Sequence, residues 1–145
     1  MVSVRKMRSQ DVERVAVFER QVFSRPWSPQ GFLDALALEN TFFLVAEEHD
    51  RILGYAGMYC TSEEGEITNV AVSAQERCRG VGGMMLDEIK REAGNRLLER
   101  VILEVRVSND DAVRLYERKG FVRCGIRRGF YDFPKEDAYI LIWGQ

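Results

Sequence analysis

Apolar residues recur at helical spacing at Val12, Val15, Phe18 and Val22, which predicts an early amphipathic helix that Ser9 can cap. Ser28 followed by Pro29 is a cap with proline at the first helical position, so a second helix is expected from Gln30 to about Leu38. The short segment between them, Phe23-Ser24-Arg25-Pro26-Trp27, is rich in aromatic residues. Residues 2–6 read as a strand ahead of these helices. Residues 41–47, 52–60 and 66–72 carry strand patterns separated by polar turns at 48–51 and 61–65, giving an antiparallel meander. An Arg/Gly-rich turn then runs straight into a helix that ends near Gly94, and a strand follows at 100–107. A strand–helix–strand crossover of this length makes the strands at 66–72 and 100–107 parallel neighbours. Asn109 starts another helix, stopped at Gly120, and strands at 121–126 and 138–143 enclose a loop containing Phe130 and Tyr131.

Composition narrows the class of protein. A chain of 145 residues, 46% hydrophobic and 30% charged, is expected to form a single domain over 1–145 with a substantial core. A net charge of −2 argues against a general nucleic-acid binder, which needs a basic face to displace counterions, and is compatible with a cationic partner. The sequence has neither an apolar run of membrane-spanning length nor a basic-then-apolar leader pattern, so no membrane association is expected. Cys60, Cys78 and Cys124 are odd in number and too widely spaced for a metal clip, which suits free thiols in the cytoplasm and no bound metal. His49, the one histidine, lies in a polar turn and reads as a solvated side chain.

The Arg/Gly-rich turn carries the first chemical signal. Gly80, Gly82 and Gly83 remove side chains where the first free N–H groups of a helix point outward, and Arg77 and Arg79 add charge, a combination suited to a pyrophosphate. An ATPase-type phosphate loop is excluded because Met84-Met85 follows Gly82-Gly83 where Lys-Ser/Thr would be required. The dinucleotide fingerprint fails at its third glycine, which here is Met85. The spacing Arg77-x-x-Gly80-x-Gly82 resembles the acetyl-CoA-binding signature of the GNAT acetyltransferase superfamily. The element order resembles the GNAT fold along the whole chain, an α/β (α+β) arrangement. It implies a mixed, mostly antiparallel sheet of about seven strands, about four helices, and a parallel pair at the acetyl-CoA site. Pro26-Trp27-Ser28, the stretch from Leu103 to Asn109, that from Leu115 to Phe121, and Arg127 to Tyr131 followed by Glu136-Asp137-Ala138 are together similar to the RimI group of ribosomal-protein-alanine N-acetyltransferases.

The resemblance implies transfer of acetyl from acetyl-CoA to the N-terminal alanine of a basic ribosomal protein, S18, within a ternary complex. Backbone groups of Val70, Ala71 and Val72 would hold the acetyl and pantetheine portions, and an N–H there would stabilise the oxyanion; the same stretch also reads as an ordinary buried strand. Arg77, Cys78, Arg79, Gly80, Val81, Gly82 and Gly83 would form the pyrophosphate loop, joined by Asn109, which is equally a good helix cap. Glu104 matches the general base and interrupts an apolar strand; a structural ion pair with Arg106 is the alternative. Tyr116 matches the acid that protonates the departing thiolate, although with Ala112 and Leu115 it also forms a helix-face cluster. Phe23, Pro26, Trp27 and Tyr131 would line the acceptor site or pack in the core, with Phe130 replacing a frequent tyrosine. Glu63, Glu64 and Glu66 could steer a basic acceptor or simply be solvated. Two other readings stand beside this one. The first is a GNAT enzyme for lysine, a polyamine or another small amine, and the second is a non-catalytic acyl-CoA-binding regulatory module.

Overall fold

The computed structural model describes residues 1–23, 25–77 and 79–144. Strand β1 (Ser3–Lys6) leads through a 3-10 turn (Ser9–Asp11) into helix α1 (Val12–Val22), and helix α2 (Pro29–Leu36) follows. The entry to α1 is closed by Asp11 and not by Ser9, because the Asp11 carboxylate accepts from the Arg8 N–H at 2.8 Å and from both terminal nitrogens of Arg5 at 2.8 Å. Burial on α1 falls on Val12, Val15, Ala16, Phe18 and Glu19, whereas the expected apolar position Val22 is 37% exposed. Ser28 caps α2 as its sequence implies, its Oγ accepting from Gly31 N–H at 3.1 Å.

Strands β2 (Thr41–Glu48), β3 (Arg51–Cys60) and β4 (Glu64–Val72) form the expected antiparallel meander. Helix α3 (Val81–Asn95) carries the chain to β5 (Arg100–Arg106), helix α4 (Asp110–Arg118) follows, and β6 (Val122–Tyr131) and β7 (Glu136–Gly144) close the fold as a hairpin. The sheet order is β1-β2-β3-β4-β5-β7-β6, antiparallel throughout except for the parallel β4/β5 pair. Phe130 and Tyr131, expected in a loop, belong to β6 instead: the strand continues past an irregularity around Gly129, whose φ of 61° is the left-handed geometry glycine permits, and Tyr131 pairs with Glu136.

Each face of the sheet buries its own apolar cluster. Helices α1 and α2 cover one face through Val12, Val15, Phe18, Phe32 and Ala35, packed against Phe43, Val45, Tyr55 and Ala71. Helices α3 and α4 cover the other through Met85, Leu86, Ile89, Val113 and Tyr116, packed against Leu44, Met58, Leu103 and Leu141. Each such aliphatic or aromatic side chain contributes about 1.5–3 kcal/mol on full burial. Because β5 alternates, Leu103 and Val105 face the α3/α4 layer and Glu104 the opposite one.

Candidate active site

The β4/β5 pairing lasts only from Glu64↔Arg100 to Ile67↔Leu103, after which the two strands part. The remainder of β4 stays paired to β3 and has an open edge on its other side. The Ser73 N–H donates to Leu53 O at 2.8 Å, which fixes the alternation: Ala71 spends its N–H and C=O on β3, while those of Val70 and Val72 turn to the open edge. Of the three backbone positions expected to meet a cofactor, Ala71 is therefore committed to the sheet. The other two present unpaired strand hydrogen-bonding groups to the gap.

At the C-terminal end of β4 a 3-10 turn (Ala74–Glu76) leads into the glycine loop and then α3. Gly80 is the N-cap, left-handed at φ 81°, and a Cβ there would meet nothing within 4 Å. Among the described residues no side chain caps α3, and its first turn holds no acidic residue, so the N–H groups at its start can meet an anion. Gly82 and Gly83 serve the other side of the helix: a Cβ would lie 2.8 Å from Leu115 Cδ2 at Gly82 and 3.0 Å from Lys119 Cε at Gly83. Their missing side chains let α4 approach and do not widen the cradle. Val81, also expected at the cradle, is buried beneath it. The Arg79 guanidinium is held by Glu48 at 3.0 Å and by Glu76, which pins the loop to the sheet; Arg77 is exposed. Cys78 lies outside the described residues.

Glu104 and Tyr116 belong to opposite faces of the sheet. The Glu104 side chain is 9% exposed and accepts from Arg127 Nε on β6 at 3.2 Å. Its expected alternative partner, Arg106, bonds Glu136 at 3.1 Å and lies 4.3 Å over the Tyr131 ring. Tyr131 is close enough to both residues for their charges to interact; burial first, then the Glu104 carboxylate, push its hydroxyl pKa up. Tyr116 is buried against Phe121, and burial, followed by Tyr131, pushes its pKa well above that of a free phenol. Asn109 caps α4, its Oδ1 accepting from Ala112 N–H at 3.3 Å.

The acceptor-loop candidates differ in burial. Phe23 and Pro26 are exposed, whereas Trp27 is half-buried, its ring centroid 5.2 Å from that of Phe32 and 6.2 Å from that of Phe43. This loop meets the β6–β7 turn, with Arg25 lying 4.0 Å over the Phe133 ring. Within the acidic cluster Arg100 bonds Glu64 at 2.7 Å and lies 3.8 Å from Glu63, so one positive charge is shared between them. Glu66 faces Glu104, and burial followed by that carboxylate raises its pKa. Sequence reasoning passed over Glu19, a carboxylate 2% exposed whose two oxygens accept from the Tyr55 hydroxyl and from Trp27 N–H. Its signal was present: a glutamate seven residues after Val12 on the apolar stripe of α1.

A gap between parted parallel strands, with an uncapped helix start beyond it, is a place where an extended carrier with an anionic end can dock. The sequence matches the Acetyltransferase (GNAT) family over residues 10–121, and the chain belongs to that family. Within it, the similarity is to RimI-type proteins. A putative [ribosomal protein bS18]-alanine N-acetyltransferase of Bacillus subtilis is 33% identical over 96% of this chain and 93% of that protein. The N-alpha-acetyltransferase RimI of Mycobacterium tuberculosis is 32% identical over 97% of this chain and 90% of its own. The crystal structure of the ribosomal-protein-S18-alanine N-acetyltransferase from Escherichia coli superposes with a TM-score of 0.89 at 26% identity, covering 99% of this chain and 94% of that one.

Proposed function

We propose that the protein transfers acetyl from acetyl-CoA to the N-terminal α-amine of a protein, with the N-terminal alanine of ribosomal protein S18 as its acceptor. The observation that carries this reading is the parting of β4 from β5, which leaves the N–H and C=O of Val70 and Val72 unpaired ahead of the uncapped start of α3. An extended pantetheine arm can complete the open edge as a strand would, with its pyrophosphate at Gly80 and the N–H groups that follow. Strand N–H groups facing the thioester oxygen would stabilise the tetrahedral oxyanion by a few kcal/mol, on the order of 3, in a water-excluded gap. The names of the Bacillus, Mycobacterium and Escherichia relatives support a protein N-terminus, and S18 in particular, as acceptor.

In this mechanism an α-amine, with an ordinary pKa of about 7.7–8.0, loses a proton to Glu104 directly or through one water and attacks the thioester carbon. The C–N bond forms, the C–S bond breaks, the thiolate takes its proton from Tyr116, and the second proton shed by the nitrogen as it becomes an amide returns to Tyr116 through water while Glu104 releases its own to solvent. Burial weakens Tyr116 as an acid, but the same dry gap destabilises the thiolate, so both pKa values rise together and transfer stays feasible. Arg127 holds the Glu104 carboxylate in place. Mass spectrometry of a basic peptide with a free N-terminal alanine, beside an N-blocked peptide carrying lysines, tests the reading. Acetylation of the free N-terminus alone is expected; modification of lysine alone would move the enzyme to another acceptor class.

A further inference from the structure

Three buried polar side chains lie between the acceptor loop and β4, and none of them has a part in the chemistry above. Glu19, Tyr55 and Asn69 are 2%, 0% and 8% exposed. They follow one another from β4 to the loop. Thr68 Oγ1 donates to Asn69 Oδ1 at 2.6 Å, the Asn69 side chain lies near enough to the Tyr55 hydroxyl to act on it, and that hydroxyl donates to Glu19 Oε1. Glu19 Oε2 then accepts from the backbone N–H of Trp27 at 3.0 Å. No ion pair to Glu19 occurs among the described residues, and its two oxygens are taken by one phenol and one loop amide. The Tyr55 ring is clamped edge-on by Phe18 and Phe32, at 6.2 Å and 5.5 Å between centroids, so its hydroxyl has a fixed position. At one end the line reaches the loop 25–28; at the other it reaches Asn69, the residue before Val70, where β4 has just left β5.

Burying an uncompensated carboxylate is costly, and an apolar residue on this stripe of α1 would pack without that cost. What the carboxylate adds is direction, since it ties a loop amide to a side chain rooted in the sheet. We propose that Glu19, Tyr55 and Asn69 are positioning residues which fix the 25–28 loop against β4 and so set the approach of the acceptor amine to the acetyl group. The proposal rests on reading that loop as the acceptor wall. None of the three touches the reacting atoms in this scheme.

The test compares wild type with Tyr55→Phe, which keeps the ring and deletes the hydroxyl, and with Glu19→Leu, which removes both acceptors from Tyr55 and Trp27 N–H. Steady-state kinetics with the alanine peptide and amide hydrogen exchange at Trp27 are both read, on variants shown by melting to be folded. The expected result is a rise in peptide KM of about ten-fold or more with acetyl-CoA KM little changed, together with faster exchange at Trp27. Either folded variant suffices if the other fails to fold. Unchanged peptide KM and unchanged Trp27 exchange would overturn the proposal, as would an equal rise in both KM values. A wild-type enzyme that leaves the alanine peptide untouched would sink the proposed function, while the exchange measurement would still decide whether the line anchors the loop.

Discussion

Glu104 sits where an apolar strand is interrupted, and its partner in the fold is Arg127, which leaves one face of the carboxylate to receive a proton. Glu104→Gln keeps the shape and removes the base, so kcat should fall about 100-fold with acetyl-CoA affinity little changed, as measured by steady-state kinetics beside calorimetry. Full activity in that variant would remove Glu104 from the mechanism. Stability is concentrated at a different carboxylate. Asp11 is 1% exposed and is bound by Arg5, Arg14 and the Arg8 N–H, with the Arg5 hydrogen bonds the largest cause of its depressed pKa. A folded-state pKa below the unfolded value of about 3.9 means that this contribution is complete above that pH and is lost as pH falls below it. Urea titrations should therefore show Asp11→Asn destabilised by about 2–3 kcal/mol at pH 7, with the gap to wild type narrowing in acid. An undiminished gap at low pH would show that the ion pairs are not its source.

Strand β4 behaves as two half-strands with different duties. Its first half pairs on both sides, while its second pairs with β3 alone, so alternate residues direct their N–H groups to the sheet or to the gap. Proline is tolerated in strands only where no ladder N–H is lost. Val72→Pro should therefore leave the fold intact by circular dichroism yet weaken acetyl-CoA binding, whereas Ala71→Pro should unfold or severely destabilise the protein. Equal tolerance of both would contradict the alternation. In helix α3 the glycines differ in the same way. Gly80 alone needs the left-handed region, so Gly80→Ala should cost about 1–2 kcal/mol in a melting experiment and raise the acetyl-CoA KM. Gly82→Ala acts through Leu115 at the α3/α4 contact, where a flexible side chain can give way.

Across the whole molecule the site is a consequence of one break in the sheet. The chain supplies two helices to each face, and the strands separate beyond Ile67 and Leu103, with Glu104 on one face of the sheet and Tyr116 in the layer on the other. The loop after α1 and the turn after β6 meet where Arg25 lies over Phe133. No helix among the described residues is long and apolar enough to cross a membrane.

Much of this was legible in the sequence because it depends on neighbours a few residues apart. The alternation of the meander, Ser28-Pro29 ahead of α2, Gly80 ahead of α3, the parallel crossover and the GNAT resemblance all follow from local spacing. Contacts between distant strands were not legible. Glu104 and Arg106 are two residues apart and share a strand face, yet β6 brings Arg127 to the first and β7 brings Glu136 to the second. Ser9 offered a good cap, but Asp11, tied to Arg5 on β1, took the position. Phe130 and Tyr131 lie in β6 because pairing with β7 resumes beyond Gly129. The amino-acid sequence determined the order of elements, the family and the residue types able to perform acyl transfer, since these are set by periodicity and short motifs. Only the tertiary structure decided which backbone groups stay unpaired, which charges are already neutralised and how Glu19 reaches Trp27 and Tyr55, because those depend on pairing register and layer packing between segments far apart in the chain.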